Sequence, residues 1–143
     1  MDLARETIDD STREGSWAFD VPVMNRIERS VSLHPYFKVR PGQMDSVKAL
    51  LREFVARAQS EDKLLYYEFT ISGDIVFCRE AYVGAEGALA HLANVGKQLD
   101  QMLKLCEVVR LEIHGPADEL EKLKGPVGAF NPTWFTYECG VTR

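Results

Sequence analysis

Arg79-Glu80-Ala81-Tyr82-Val83-Gly84-Ala85-Glu86-Gly87-Ala88-Leu89-Ala90-His91-Leu92-Ala93-Asn94-Val95 changes its hydrophobic period halfway along. Up to Val83 the residues read as the end of a strand. Beyond Gly84, the residues Ala88, Leu92, Val95, Leu99 and Met102 recur at three- and four-residue steps, the spacing of one helix face. The stretch is therefore a strand-to-helix junction. Glu80 and Tyr82 share a strand face at a period of two, and His91 follows about two to three turns into the helix. A pocket in this chain is expected to have its polar groups here.

Working outward toward the N-terminus, Leu64 to Ile71 and Ile75 to Val83 are β-rich runs separated by Ser72-Gly73-Asp74, which reads as a hairpin. Its faces are both apolar, with Leu65, Tyr67, Phe69 and Ile71 on one and Leu64 and Tyr66 on the other. A sheet greasy on two sides must be covered on two sides. Two long helices cover one, so the other requires a second subunit or a second sheet. Before the hairpin, Val31 to Val39 alternates as a strand, with Val31, Leu33, Phe37 and Val39 opposite Ser32, His34, Tyr36 and Lys38, and Pro35 makes it irregular. Pro41-Gly42 stops it. From Gln43 to Gln59, the set Met44, Val47, Leu51, Phe54, Val55 and Ala58 forms one helical stripe.

Toward the C-terminus the helix that opens at Gly84 is expected to run to about Leu105. Glu107 to His114 alternates as a half-buried strand ended by Gly115-Pro116. A short helix over Ala117 to Lys124 and a strand over Thr133 to Cys139 complete the chain, with His114 reading as a loop residue beside Gly-Pro. The order β-α-β-β-α-β with an appended helix and strand is α+β and ferredoxin-like, an antiparallel sheet with two long helices.

Residues 1–30 are set apart from a domain over 31–143. The opening half is polar and reads as a mobile leader. Trp17, Phe19, Val21 and Val23 then alternate with Ala18, Asp20 and Pro22, which suits an extended arm laid on another surface, or a loop with chance aromatics. The whole chain has 143 residues, 45% hydrophobic and 27% charged, ordinary for a globular domain with a core of its own. A net charge of −5 with no basic patch disfavours nucleic acid and anionic membrane surfaces as partners. Three separated cysteines in apolar surroundings suit reduced thiols. With no apolar run near the ~20 residues of a membrane span, and no basic-apolar-small leader pattern, a cytoplasmic protein is the expectation.

The order Glu80-x-Tyr82, short turn, Glu86, His91 resembles the signature of the antibiotic-biosynthesis-monooxygenase-type family of dimeric α+β barrels. The likeness runs from about Val31 to Arg143. It includes Lys38-Val39-Arg40-Pro41-Gly42, the run Leu111-Glu112-Ile113-His114-Gly115-Pro116, and Phe130-Asn131-Pro132-Thr133-Trp134-Phe135. It implies two sheets meeting back to back in a homodimer, and cofactor-independent oxygenation of a small aromatic, quinol-like or enolisable substrate.

His91 is the expected base, since an imidazole can take a proton from a phenol or enol and return it; the alternative is a helix histidine that caps a carbonyl or pairs with a carboxylate such as Glu80. Glu80 joins it as a catalytic candidate, or as a satisfied carboxylate that holds the hairpin. Tyr82, Tyr66 and Asn94 are candidates to hold substrate oxygens, and His34 and Tyr36 to line the same cavity; His34 could equally belong to an interface. No cofactor is expected. Histidines at 34, 91 and 114 lack metal-ligand spacing, and there is no phosphate-binding glycine loop. Relatives of this fold that degrade haem use a second helix histidine for iron, and where monooxygenase-type relatives often carry another histidine this chain has Gly96. A non-catalytic small-molecule-binding or dimer-scaffold protein is the competing expectation.

Overall fold

In the computed structural model, which describes residues 29–143, the alternation read in the sequence becomes one five-stranded sheet with all its helices on one face. The leader and the arm around Trp17 lie outside the described residues. The strands are β1 (Ser30–Val39), β2 (Leu64–Ser72), β3 (Ile75–Val83), β4 (Cys106–Gly115) and β5 (Thr133–Thr136), in the sheet order β2-β3-β1-β4-β5. Pairing is antiparallel throughout except between β4 and β5. The first four strands and their two crossovers make the ferredoxin-like α+β core that the element order predicted.

Period two decides what each face of β1 meets. Val31, Leu33, Phe37 and Val39 are buried under the helices, whereas Ser32, His34 and Tyr36 point the other way and are half-buried. Pro35 is tolerated in this central strand because the ladder to β3 is interrupted there, the pairs running from Leu33–Glu80 to Tyr36–Phe77, so no N–H is required of it on that side.

Two apolar clusters fill the space beneath the helices. In the first, α1 (Met44–Ala58) sets Val47, Leu50, Leu51 and Phe54 against Phe37 and Val76. In the second, Val31, Leu33, Tyr82 and Ile113 meet Ala85 and Ala88 of α2 (Gly84–Asn94) and Leu120 and Leu123 of α4 (Ala117–Val127). The functional candidates lie where the two clusters meet.

The helix expected from Gly84 to Leu105 is two helices, α2 and α3 (Gly96–Leu105), broken at Val95. Val95 leaves helical geometry at φ −105° and ψ 11° while burying its side chain in the first cluster, 2% exposed. Gly96, worth about 1 kcal/mol less than Ala in a helix, offers little resistance to the break. The bend lets α2 lie on the second cluster and α3 on the first.

The expected faces of the hairpin change at one point. A register shift between Leu64 and Tyr66 puts Leu64 opposite Tyr82, on the helix side, and Tyr66 opposite Ala81, on the open side. Leu64 and Tyr66 therefore do not share a face. Two smaller differences are that α4 continues to the buried Val127 with Pro126 in its last turn, and that β5 ends at Thr136, where the Tyr137 N–H donates to the Gly115 carbonyl at 2.7 Å. His114 belongs to β4 and stacks on Phe135, with ring centroids 4.4 Å apart.

Candidate functional site

The site is set by how tightly α2 is pressed on β3. Gly84 turns the chain at φ +69°, which a side chain resists. One turn on, a Cβ at Gly87 would stand 3.0 Å from the Cβ atoms of Lys63 and Tyr82, so only glycine permits this approach. The helix start is held by Glu119 of α4, which accepts the Ala85 N–H at 2.7 Å and pairs with Arg29 and Lys122. Burial alone would raise this carboxyl, but those donors hold it below the usual glutamate range. The next turn of α2 delivers His91.

His91 is 2% exposed and lies between two phenol rings, 4.8 Å from the Tyr67 centroid and 4.9 Å from that of Tyr82. Its Nδ1 lies 2.9 and 3.0 Å from the two carboxylate oxygens of Glu61. A carboxylate accepts, so Nδ1–H is the donor and Nε2 is left facing Glu80, with 4.0 Å between Nε2 and Oε1. Glu61 is itself fixed by Asn94, whose side-chain amide donates to Glu61 at 2.8 Å and to the Arg57 carbonyl at 2.9 Å. This is a carboxylate–imidazole pair oriented from behind by an amide.

Glu80 is 5% exposed and accepts the Tyr82 hydroxyl at 3.0 Å, and the Cys78 thiol lies on the same strand face two residues before it. Burial pushes the Glu80 carboxyl above the usual glutamate range, opposed by the nearby imidazole and by these two groups. Burial likewise pushes Tyr67, Tyr82 and Cys78 upward, with the Glu80 charge adding to it. The phenols and the thiol therefore stay protonated.

Both groups line one hollow of about 80 Å³ between the sheet and α1, α2, α3 and α4. Its other walls are apolar, including Leu33, Leu99, Met102 and Leu111, and no lysine or arginine faces it. Low polarity strengthens each charge interaction inside.

No family model matches the chain, and no curated protein matches it. Among solved structures, that of MupZ from Pseudomonas fluorescens superimposes with a TM-score of 0.77 at 35% identity, over 80% of this chain and 95% of that one. Two candidate antibiotic biosynthesis monooxygenases share the fold. That from Chloroflexus aurantiacus has a TM-score of 0.52 at 21% identity, over 62% of this chain and 93% of its own. The other, from Nitrosomonas europaea, has a TM-score of 0.56 at 17% identity, over 63% and 92%. The chain belongs to the same family as MupZ, and it shares the fold of the antibiotic biosynthesis monooxygenase-like proteins.

On this family fold the residues singled out in the sequence divide. Glu80, Tyr82 and His91 come together. Asn94 is adjacent, but its amide is spent on Glu61 and Arg57, so it holds a catalytic candidate and does not line the hollow. His34 and Tyr36 lie on the opposite sheet face, where the period of two puts even-numbered residues of β1. There His34 contacts His114 at 4.7 Å and Tyr36 contacts Phe77 at 4.7 Å. Tyr66 is 43% exposed, turned outward by the register shift. Three members of the cluster were not foreseen as site residues: Glu61, Tyr67 and Cys78. Tyr67 had a signal, because counting outward from the Gly73-Asp74 turn pairs it with Glu80. Glu61 had none, since it sits in the turn after α1, 30 residues before the histidine it holds. Among the described residues no helix is long and apolar enough to cross a membrane, and no cluster has the makings of a metal site.

Proposed function

We propose that the chain is an acid–base enzyme acting on a small, largely apolar molecule, aromatic or enolisable, inside this hollow. The observation that supports the reading is that a buried glutamic acid and a carboxylate-backed histidine face one apolar space from 4.0 Å apart. His91 Nε2 takes a proton from a phenol or enol, and the Glu61 carboxylate stabilises the imidazolium that results. Glu80, whose carboxyl burial raises above the usual glutamate range, donates a proton to a developing oxyanion.

The family likeness suggests an oxygenation after that proton transfer. The carbanion-like carbon attacks dioxygen and forms a C–O bond, and Glu80 protonates the outer oxygen. Loss of water then breaks the O–O bond and takes the one hydrogen that carbon still carries, leaving a carbonyl. Dioxygen is the oxidant, and the substrate supplies all the electrons. A second reading, redox-neutral proton transfer, is favoured by the placing of Glu80 opposite His91, since an acid and a base facing one space catalyse isomerisation or ring closure without oxygen. Oxygen-electrode traces and solvent-deuterium incorporation with a polycyclic phenol separate the two. In either case His91→Gln, whose side-chain amide can still donate to Glu61, is expected to cut turnover about 10²–10⁴-fold in a protein that stays folded. Unchanged turnover in folded His91→Gln would make the histidine a packing residue and end the proposal.

A second copy of the chain is the proposed cover for the open sheet face. Phe135, His114, His34, Phe77 and Tyr36 form a continuous ring-to-ring stripe there, with neighbouring centroids 4.4 to 6.1 Å apart. Sedimentation is expected to show a dimer that Phe77→Arg converts to monomer; a wild-type monomer at micromolar concentration would contradict it.

A further inference from the structure

The 80 Å³ hollow is too small for the substrate that its chemistry suits. A dry cavity that takes up benzene measures about 150 Å³. A ring therefore enters only if a wall moves, and the walls differ in freedom. Almost all lining side chains are buried or half-buried, held between the sheet and the helices. Phe130 is the exception, 43% exposed. It ends a short 3₁₀ turn, Gly128–Phe130, and the next residue, Asn131, sits at φ +52°, a left-handed conformation that a non-glycine residue adopts reluctantly. The Asn131 N–H closes the turn on the Gly128 carbonyl at 2.9 Å. The flanking Val127 and Pro132 are buried, so the turn is a small flap pinned at both ends.

Resting on the function proposed above, we propose that Phe130 is the gate of the hollow, and that it admits the uncharged, apolar end of a substrate whose polar remainder stays outside. The lining supports the second half: the acid–base groups are grouped around Glu80 and His91, and no lysine or arginine in it faces an anion brought in head-first.

The test uses the full chain with histidine ¹⁵N labelling and 1-naphthol as the probe, with 1-naphthoate as its charged counterpart. His34 and His114 lie on the far sheet face and serve as internal references. Naphthol is expected to shift the His91 resonances alone, and naphthoate to do so at least about tenfold more weakly. Phe130→Ala is expected to speed exchange about tenfold or more by removing the gating ring, and Phe130→Trp to slow it as much. Phe135→Ala, which removes a comparably exposed ring from the far face, is expected to leave the exchange rate at His91 unchanged, with His34 as the reference because Phe135 stacks on His114. If naphthol shifts His91 at the same rate in all Phe130 variants, the gate is refuted while the acid–base site stands. If naphthoate binds as well as naphthol, the charge selection is refuted. If naphthol shifts His91 in neither the wild type nor Phe130→Ala, the hollow is not a ligand site and the acid–base function falls too.

Discussion

Glu80→Gln is expected to lower turnover about 10²–10⁴-fold, because an amide keeps the acceptor for Tyr82 but has no acidic proton to give. The same change should stabilise the protein, and by more at higher pH. Burial raises the folded-state carboxyl above its ordinary value of 4.5, which the unfolded chain retains. As pH rises past that value the unfolded chain releases its proton and the folded one keeps it, so the wild type loses stability until its folded-state value is passed. The glutamine variant has no proton to lose. Its melting temperature minus that of the wild type is therefore expected to be larger at about pH 8 than at about pH 5. A difference that is flat across this range would mean that Glu80 ionises like a surface carboxylate, and its role as the acid would be lost.

Met102→Ala is the second large effect, and it joins the core to the site. Met102 has no exposed surface; it packs in the first cluster with Cys106 and also forms part of the hollow's wall. Truncation should cost about 2–5 kcal/mol, the range for large-to-small changes where surroundings cannot collapse. The space released adds to the hollow, so the destabilised variant is expected to bind 1-naphthol more tightly than the wild type. Urea unfolding gives the first quantity and titration the second. A cost below about 1 kcal/mol would show that the wall closes in, and would deny the site its rigid apolar frame.

Periodicity sets how much of the fold and the site was legible in the sequence. The faces of β1 were readable from Val31, Leu33, Phe37 and Val39, since each strand residue alternates sides wherever the strand is regular. The junction at Gly84 was readable because the period changes there, and with it came Glu80, Tyr82 and His91. Local irregularity was not readable. The shift at Leu64 and Tyr66 reverses side assignments for the start of β2, and Val95 interrupts a stripe that otherwise continues into α3. His34 and Tyr36 were placed with His91 on their chemistry, although alternation alone puts them across the sheet from Leu33 and from the helices. Glu61 was beyond sequence reasoning for a physical reason: it reaches His91 by tertiary packing of the turn after α1 against α2, which leaves no trace in spacing.

A ¹³C-carboxyl titration of the glutamate side chains, with Glu80 assigned from Glu80→Gln, measures the proton on which the mechanism turns. Glu80 is expected to stay protonated well above the ordinary 4.5, and its resonance to move when 1-naphthol binds. A carboxyl that ionises at or below that value and ignores the ligand would contradict the mechanism.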